Sequence, residues 1–225
     1  DIIIQVQPIA DALDRRKWKH ATSGIFTVKS AYSAMQERRS VYPLDHHTTE
    51  ALAHLWQNSV PSKVAIFGWR LLLGRLPTRE SLYNKGIINT PLDTLCVLCS
   101  NEVEDIHHLF FLCNVSQQVW LKIFDWMGID PMAFQDVSSH FLCFGQTCKG
   151  KNSKRYSHII WLATTWCMWN NRNSIIFQDD SFDVTSLVDH IMYIAWFWFI
   201  GRVGENSGAI FSDWGTNPRA CFQSI

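Results

Sequence analysis

The stretch CVLCSNEVEDIHHLFFLC, residues 96–113, limits what this chain can fold into more than any other. It places three cysteines and two histidines within eighteen residues, in the pattern Cys-x2-Cys-x8-His-x4-Cys when His108 is counted. A close Cys-x2-Cys turn followed by a more distant pair is how a chain supplies thiolate and imidazole donors to tetrahedral zinc. Cys96, Cys99, His108 and Cys113 are therefore the predicted ligands of one Zn2+. His107 competes for the third place; His108 is preferred because four residues then precede Cys113, the closing spacing of zinc knuckles, whereas His107 leaves five. The bland alternative is three buried thiols beside two surface histidines, since free cysteine is among the most buried residue types. Four suitable donors at knuckle spacing are far more specific than a lone Cys-x2-Cys, and zinc is the better reading.

Four protein ligands leave no open position for water, so the predicted metal is a structural staple rather than a hydrolytic centre. Structural zinc binds with roughly 10–16 kcal/mol near neutral pH, more than the stability margin of most small domains, so its removal should unfold at least the surrounding segment. The other cysteines lack such company: Cys143 and Cys148 have no histidine at useful spacing, and Cys167 and Cys221 read as core or tail residues. Seven cysteines without a secretory signal point to a reducing, intracellular setting, nucleus or cytoplasm, rather than to a disulfide framework.

With 225 residues and 47% hydrophobic composition, the chain can bury a substantial core. It starts with Asp1, which reads as part of a longer product. The longest apolar runs, IIWLATTWCMW and IMYIAWFWFI, are about half a membrane span and read as buried helices, so no membrane role is expected. Net charge is zero, but residues 1–90 carry 12 Lys+Arg against 7 Asp+Glu, while residues 91–149 carry 2 against 7. A chain without an overall basic balance is a poor candidate for tight, salt-sensitive nucleic-acid binding, although a local stripe can still meet phosphates.

Periodicity predicts a mainly α protein with a small N-terminal β-hairpin and one Cys3His staple. In RKWKHATSGIFTVKSAY, Trp18 reads as one strand, Ser23 and Gly24 as the turn, and Ile25, Phe26 and Val28 as the return strand. Ser30 then caps a helix ending at the cationic pair Arg38 and Arg39, and SVYPLDHHTTE is a polar connection. Pro61 and Ser62 open a helix with an apolar face through Val64, Ala65, Phe67, Leu71 and Leu72, ended by Gly74. Thr78 caps a short helix through Tyr83, and Ser116 caps one bearing Val119, Trp120, Ile123, Phe124 and Met127. CKGKNSKR, residues 148–155, is the candidate linker between a region 1–147 and a helical tail region 156–225 with helices near 156–173 and 184–200. Trp120, Trp161, Trp166 and Trp198 are assigned to the core.

The series SGIFTVKSAY, LWQNSVPSKVAIFGWRLLLGRLPT, CVLCSNEVEDIHHLFFLC followed by VW, and WNNRNSIIF resembles the reverse transcriptase zinc-binding domain of plant non-LTR (LINE-type) retrotransposon polyproteins. The similar core runs from about Trp18 to Trp120, and the remainder to SDWGTNP resembles the tail of such reading frames. The resemblance implies that Cys96, Cys99, His108 and Cys113 are the metal motif, and that the partners are element RNA or target DNA and a polymerase domain lying upstream.

Two further features need weighing. FQDD, residues 177–180, fits the aromatic-x-Asp-Asp pattern of polymerases, but no other palm aspartate accompanies it, and a solvated turn is the better reading. No G-x-S-x-G turn or Gly-rich phosphate loop is present. The cationic series Lys63, Arg70, Arg75, Arg79 and Lys85 could contact phosphates, with Trp69 or Phe67 as base platforms. A solvated helix surface is the competing reading, favoured by the acidic Glu102, Glu104 and Asp105 inside the metal loop. The sequence thus points to a non-catalytic zinc module that assists nucleic-acid engagement, with a zinc-stapled protein-interaction module as the alternative.

Overall fold

The computed structural model describes residues 17–38, 44–132, 136–204 and 208–223, which fall into two compact units, Asp1–Leu44 and Asp45–Ile225. Arg39 and residues 40–43 of the expected polar connection lie outside the described residues.

In the first unit the expected hairpin is not seen among the described residues. The Trp18 N–H donates to the Gly24 carbonyl (2.8 Å) and the Gly24 N–H to Ala21 (2.9 Å), closing a turn at whose end Gly24 sits at φ +65°. Trp18 meets Phe26 edge-on, with centroids 5.0 Å apart. No ladder continues from there, because Val28 already opens helix α1, Val28–Arg38. Thr27, not Ser30, is the cap: the Ser30 N–H donates to Thr27 Oγ1 (3.1 Å) and the Thr27 N–H to Ser30 Oγ (3.2 Å). That reciprocal bonding satisfies two otherwise orphaned donors, as a capping box does.

The second unit is a helical assembly around one long helix. Its elements are α2 (His46–Leu55), α3 (Ser62–Leu72), α4 (Arg79–Asn84), a 3-10 turn (Pro91–Thr94), a π-helical turn (His108–Leu112), α5 (Asn114–Met127), α6 (Val137–Gln146), α7 (Lys151–Gln178), α8 (Val184–Val203), α9 (Phe211–Thr216) and α10 (Pro218–Gln223). Side chains set the starts: Asp45, Thr78, Asp136 and Asp183 accept from the N–H of Thr48, Ser81, Ser139 and Ser186, fixing α2, α4, α6 and α8. Gly128, at φ +60°, ends α5 in the left-handed region. Ser116 does not cap α5; it lies inside the first turn, buried, with its hydroxyl donated to the Leu109 carbonyl.

α7 is the central element. Ile159, Ile160, Trp161, Leu162 and Ala163 are all fully buried, so it is covered on every side at its middle, as its unbroken apolar composition predicts. α6, α8, α3 and α10 pack around it. The helix begins at Lys151, inside the polar run 148–155; only Gly150, at φ +96°, marks a break there. α3 crosses closely at Gly68, where an added Cβ would lie 2.9 Å from Leu162 Cδ2 and 3.0 Å from Leu55 Cδ1. The burial of Leu187, Val188, Ile191, Ala195 and Trp198 on α8 follows the predicted stripe. By length and composition α8 could also cross a membrane, being 20 residues long, where the sequence suggested a shorter run.

Buried indoles need a partner for their N–H. Trp120 donates to the Phe110 carbonyl (2.7 Å), Trp161 to His140 Nδ1 (2.7 Å) and Trp126 to the Trp214 carbonyl (2.8 Å). Trp120, Trp161 and Trp198 are core residues as expected, but Trp166 is only half-buried.

Candidate metal centre

The metal loop is built from backbone hydrogen bonds. Leu95 and Val103 form an antiparallel bridge, the Cys96 N–H donates to the Glu102 carbonyl (2.7 Å), and the Ser100 N–H returns to Cys96 (2.7 Å). Ser100 takes φ 56°, the left-handed conformation that lets the chain turn back under Cys96 and Cys99. The second pair depends on the π-helical turn, closed by the Cys113 N–H donating to the His108 carbonyl at 2.8 Å. On an α-helix, side chains five apart diverge by about 140°; the wider π turn brings positions i and i+5 toward one face. His108 joins the thiols in the cluster, whereas His107 is exposed and not part of it. The Asp105 carboxylate fixes the start of the turn by accepting the His108 N–H at 2.6 Å.

The donor atoms of Cys96, Cys99, His108 and Cys113 all lie within 4.8 Å of one another, and Cys99 Sγ is 3.2 Å from His108 Nε2. A zinc tetrahedron with Zn–S near 2.3 Å and Zn–N near 2.05 Å has edges of roughly 3.6–3.8 Å, so the cluster closes on zinc with shifts of about an ångström. Cys96 and Cys113 are buried, Cys99 and His108 half-buried. Cys113 is pulled down to about 5, first by the Cys96 thiol that bonds to it and then, against burial, by the N–H groups of Ser116 and Val115 at the α5 N-terminus. Cys96 is pushed up by the same thiol–thiol bond and by burial. Thiolates, not thiols, ligate zinc, so metal binding here is linked to proton release.

The loop is locked to the rest of the unit through Glu104, which the sequence presented as a loop acid. Glu104 is 0% and Arg172 3% exposed. The Arg172 guanidinium donates to both Glu104 oxygens (Nε to Oε1 3.1 Å, Nε to Oε2 3.3 Å, with NH2 also on Oε1). Glu104 Oε1 further accepts the Arg79 N–H (3.0 Å), and the Glu104 carbonyl the Glu80 N–H (3.2 Å). Arg172 also lies over Trp169, 4.9 Å from the ring. One carboxylate thus ties the metal loop to α4 and α7.

The five cations do not form one free face. Arg79 donates from its guanidinium to the Leu95 carbonyl (2.9 Å), holding the approach to Cys96. Arg70 donates Nε and NH2 to the Arg75 carbonyl (3.3 and 3.1 Å) beyond the end of α3. Lys63 sits over Trp166, 5.6 Å from the ring centroid, while Arg75 and Lys85 are exposed. Phe67 is buried and Trp69 is 36% exposed. In FQDD, Asp179 takes φ 52° at the α7 C-terminus, and Asp180 accepts from Ser174 (2.9 Å) in an exposed turn. A cavity of about 560 Å3 is lined by Asp45, Asp105, Asp136, Glu80 and His107, but the three aspartates are already occupied as caps.

A chain whose loop and turn converge on a Cys3His cluster inside a helical unit is a zinc-stapled protein. Residues 26–120 match the family described as zinc-binding in reverse transcriptase, so the resemblance carried by the sequence motifs holds over that segment, and Zn2+ is its metal. The chain is also 24% identical over 115 residues to an Arabidopsis thaliana protein named "Putative ribonuclease H protein"; the match spans 51% of this chain and 18% of that protein. No solved structure matches the chain.

Proposed function

We propose that the chain is a non-catalytic zinc module descended from a retrotransposon reverse transcriptase polyprotein, and that it assists engagement of RNA or DNA. The observation that carries this reading is the donor set: four protein ligands close the coordination sphere, leaving the metal to shape rather than to react. The family match supports the origin. The natural setting is then inside the cell, nucleus or cytoplasm, beside an upstream polymerase domain. Ribonuclease H activity is not carried over from the Arabidopsis protein, 18% of which is spanned by the match.

The test is direct. Zinc-loaded protein should bind single-stranded RNA or DNA with an affinity that falls steeply with salt, and should show neither magnesium-dependent nucleotide incorporation nor RNA cleavage. Absence of binding at low salt refutes the engagement half, and magnesium-dependent turnover refutes the non-catalytic half. A second reading, a protein-interaction module, is supported by Tyr193 (54% exposed) and Phe197 (65%) on α8 and by the exposed Glu102. Salt-insensitive self-association without nucleic-acid binding would establish it.

A further inference from the structure

Beside the metal loop, α3 and α7 frame a groove of about 440 Å3. That lies within the roughly 300–1,000 Å3 of small-ligand sites. Phe67 and Trp169 are buried at its base, while Lys63 and Arg70 from α3 and Trp166 and Phe177 from α7 stand higher on it. No Asp or Glu lines it; Glu104, paired with the lining residue Arg172, is itself fully buried and neutralised. Phe177 is 77% exposed in the last turn of α7, so an aromatic face is held in water on the groove that Lys63 and Arg70 also line. Hydrogen bonds to the Arg75 carbonyl position the Arg70 guanidinium, and the Trp166 ring lies under the Lys63 ammonium.

Resting on the proposed nucleic-acid reading, we propose that this groove is where a single strand docks: one base stacks on Phe177 and another on Trp166, about three turns away along α7, while phosphates between and beside them meet Lys63 and Arg70. An exposed aromatic platform flanked by cations is what sequence-tolerant single-strand binding uses. A duplex keeps its base faces stacked inside, so it cannot use Phe177 this way. The groove assigns the work differently from the cationic series in the sequence, because Arg79 is committed to Leu95 and Arg172 to Glu104, whereas Phe177 and Trp166 enter. Through Glu104, both the α7 wall and the start of α4 are keyed to the metal loop.

The experiment is fluorescence anisotropy on the zinc-loaded full chain, with labelled oligo-U and oligo-dT of about twelve nucleotides, a duplex and poly-glutamate as competitors, and salt between about 50 and 200 mM. Phe177→Ala should weaken binding roughly five- to hundredfold with an unchanged salt slope, as loss of one stacked base does. Lys63→Ala should lower the slope of log K against log salt by about 0.7, one phosphate's share on a single strand. Lys122→Ala, exposed on α5 and outside the groove lining, should leave affinity within twofold, and all variants should keep their zinc and Tm. The RNA and DNA arms tell which sugar is preferred. If the wild type binds and neither groove variant changes it, or if duplex or poly-glutamate displaces the strand as well as unlabelled oligo-U does, the groove assignment is wrong while the broader reading stands. If the wild type binds no single strand at about 50 mM salt, both fall.

Discussion

Arg172→Met should be among the most damaging substitutions outside the metal ligands. It removes the guanidinium that donates to both Glu104 oxygens and leaves a carboxylate that is 0% exposed, held among the described residues by the Arg79 backbone N–H. Removing one member of a buried ion pair costs about 3–5 kcal/mol, because the remaining charge stays desolvated. For a unit of this size, each kcal/mol shifts Tm by about 2–4 °C, so the expected loss is about 6–20 °C. Adding Glu104→Gln removes the stranded charge while its amide oxygen still accepts from Arg79, so the double variant should be more stable than Arg172→Met alone. Urea unfolding followed by tryptophan fluorescence, at one fixed free-zinc concentration, measures both. Because Glu104 lies between the two halves of the metal motif, Arg172→Met should also weaken zinc retention against a chelator. An Arg172→Met protein within about 0.5 kcal/mol of wild type, or a double variant worse than either single, would refute the reasoning.

The other predictions concern the metal turn and the histidine core. His108→Ala should lose stoichiometric zinc while His107→Ala keeps it, read by metal analysis; equal loss would mean that the π turn does not choose the ligand. Burial depresses His140 and His158 to about 3, so both are neutral in the folded protein. The unfolded chain then binds more protons between about pH 6.5 and 3, and stability present above 6.5 is lost as pH falls through that window. His158→Leu should remove one proton's share of the acid slope, about 1.4 kcal/mol per pH unit, from unfolding free energies measured between pH 6 and 4; an unchanged slope contradicts it. Gly145→Ala should cost about 1–3 kcal/mol in urea unfolding, because the new Cβ would lie 2.1 Å from Nε2 of His158, whose ring is stacked on Phe141 at 4.1 Å. A neutral result would show that the α6–α7 contact yields easily.

The metal ligands were legible because zinc motifs are local: two short segments, each with its own turn, carry all four donors. The helices of the second unit were legible where apolar period and caps agree, as at Ser62–Leu72 behind Pro61 and at Arg79–Asn84 behind Thr78. The hairpin is not seen among the described residues, where alternation over few residues competes with a capping box: Thr27 and Ser30 bond each other and draw Val28 into a helix. The polar run 148–155 looked like a break, yet most of it is the first turn of α7, since helix propensity tolerates Lys, Asn and Ser once later turns are packed. Glu104–Arg172 could not be read at all: its partners are 68 positions apart, and an acid in a loop looks solvated until a distant helix covers it. The same holds for the α3–α7 groove, whose more exposed aromatics, Trp166 and Phe177, come from the helix beyond the matched family segment.

Metal content and folding measured on the same purified sample test the central claim most directly. About one zinc per chain should be found, and stripping it with a chelator should abolish the cooperative unfolding of the 95–127 region while exposing three reactive thiols that metal had protected. A metal-free protein that still unfolds cooperatively, with Cys96, Cys99 and Cys113 unreactive inside the core, would contradict the account.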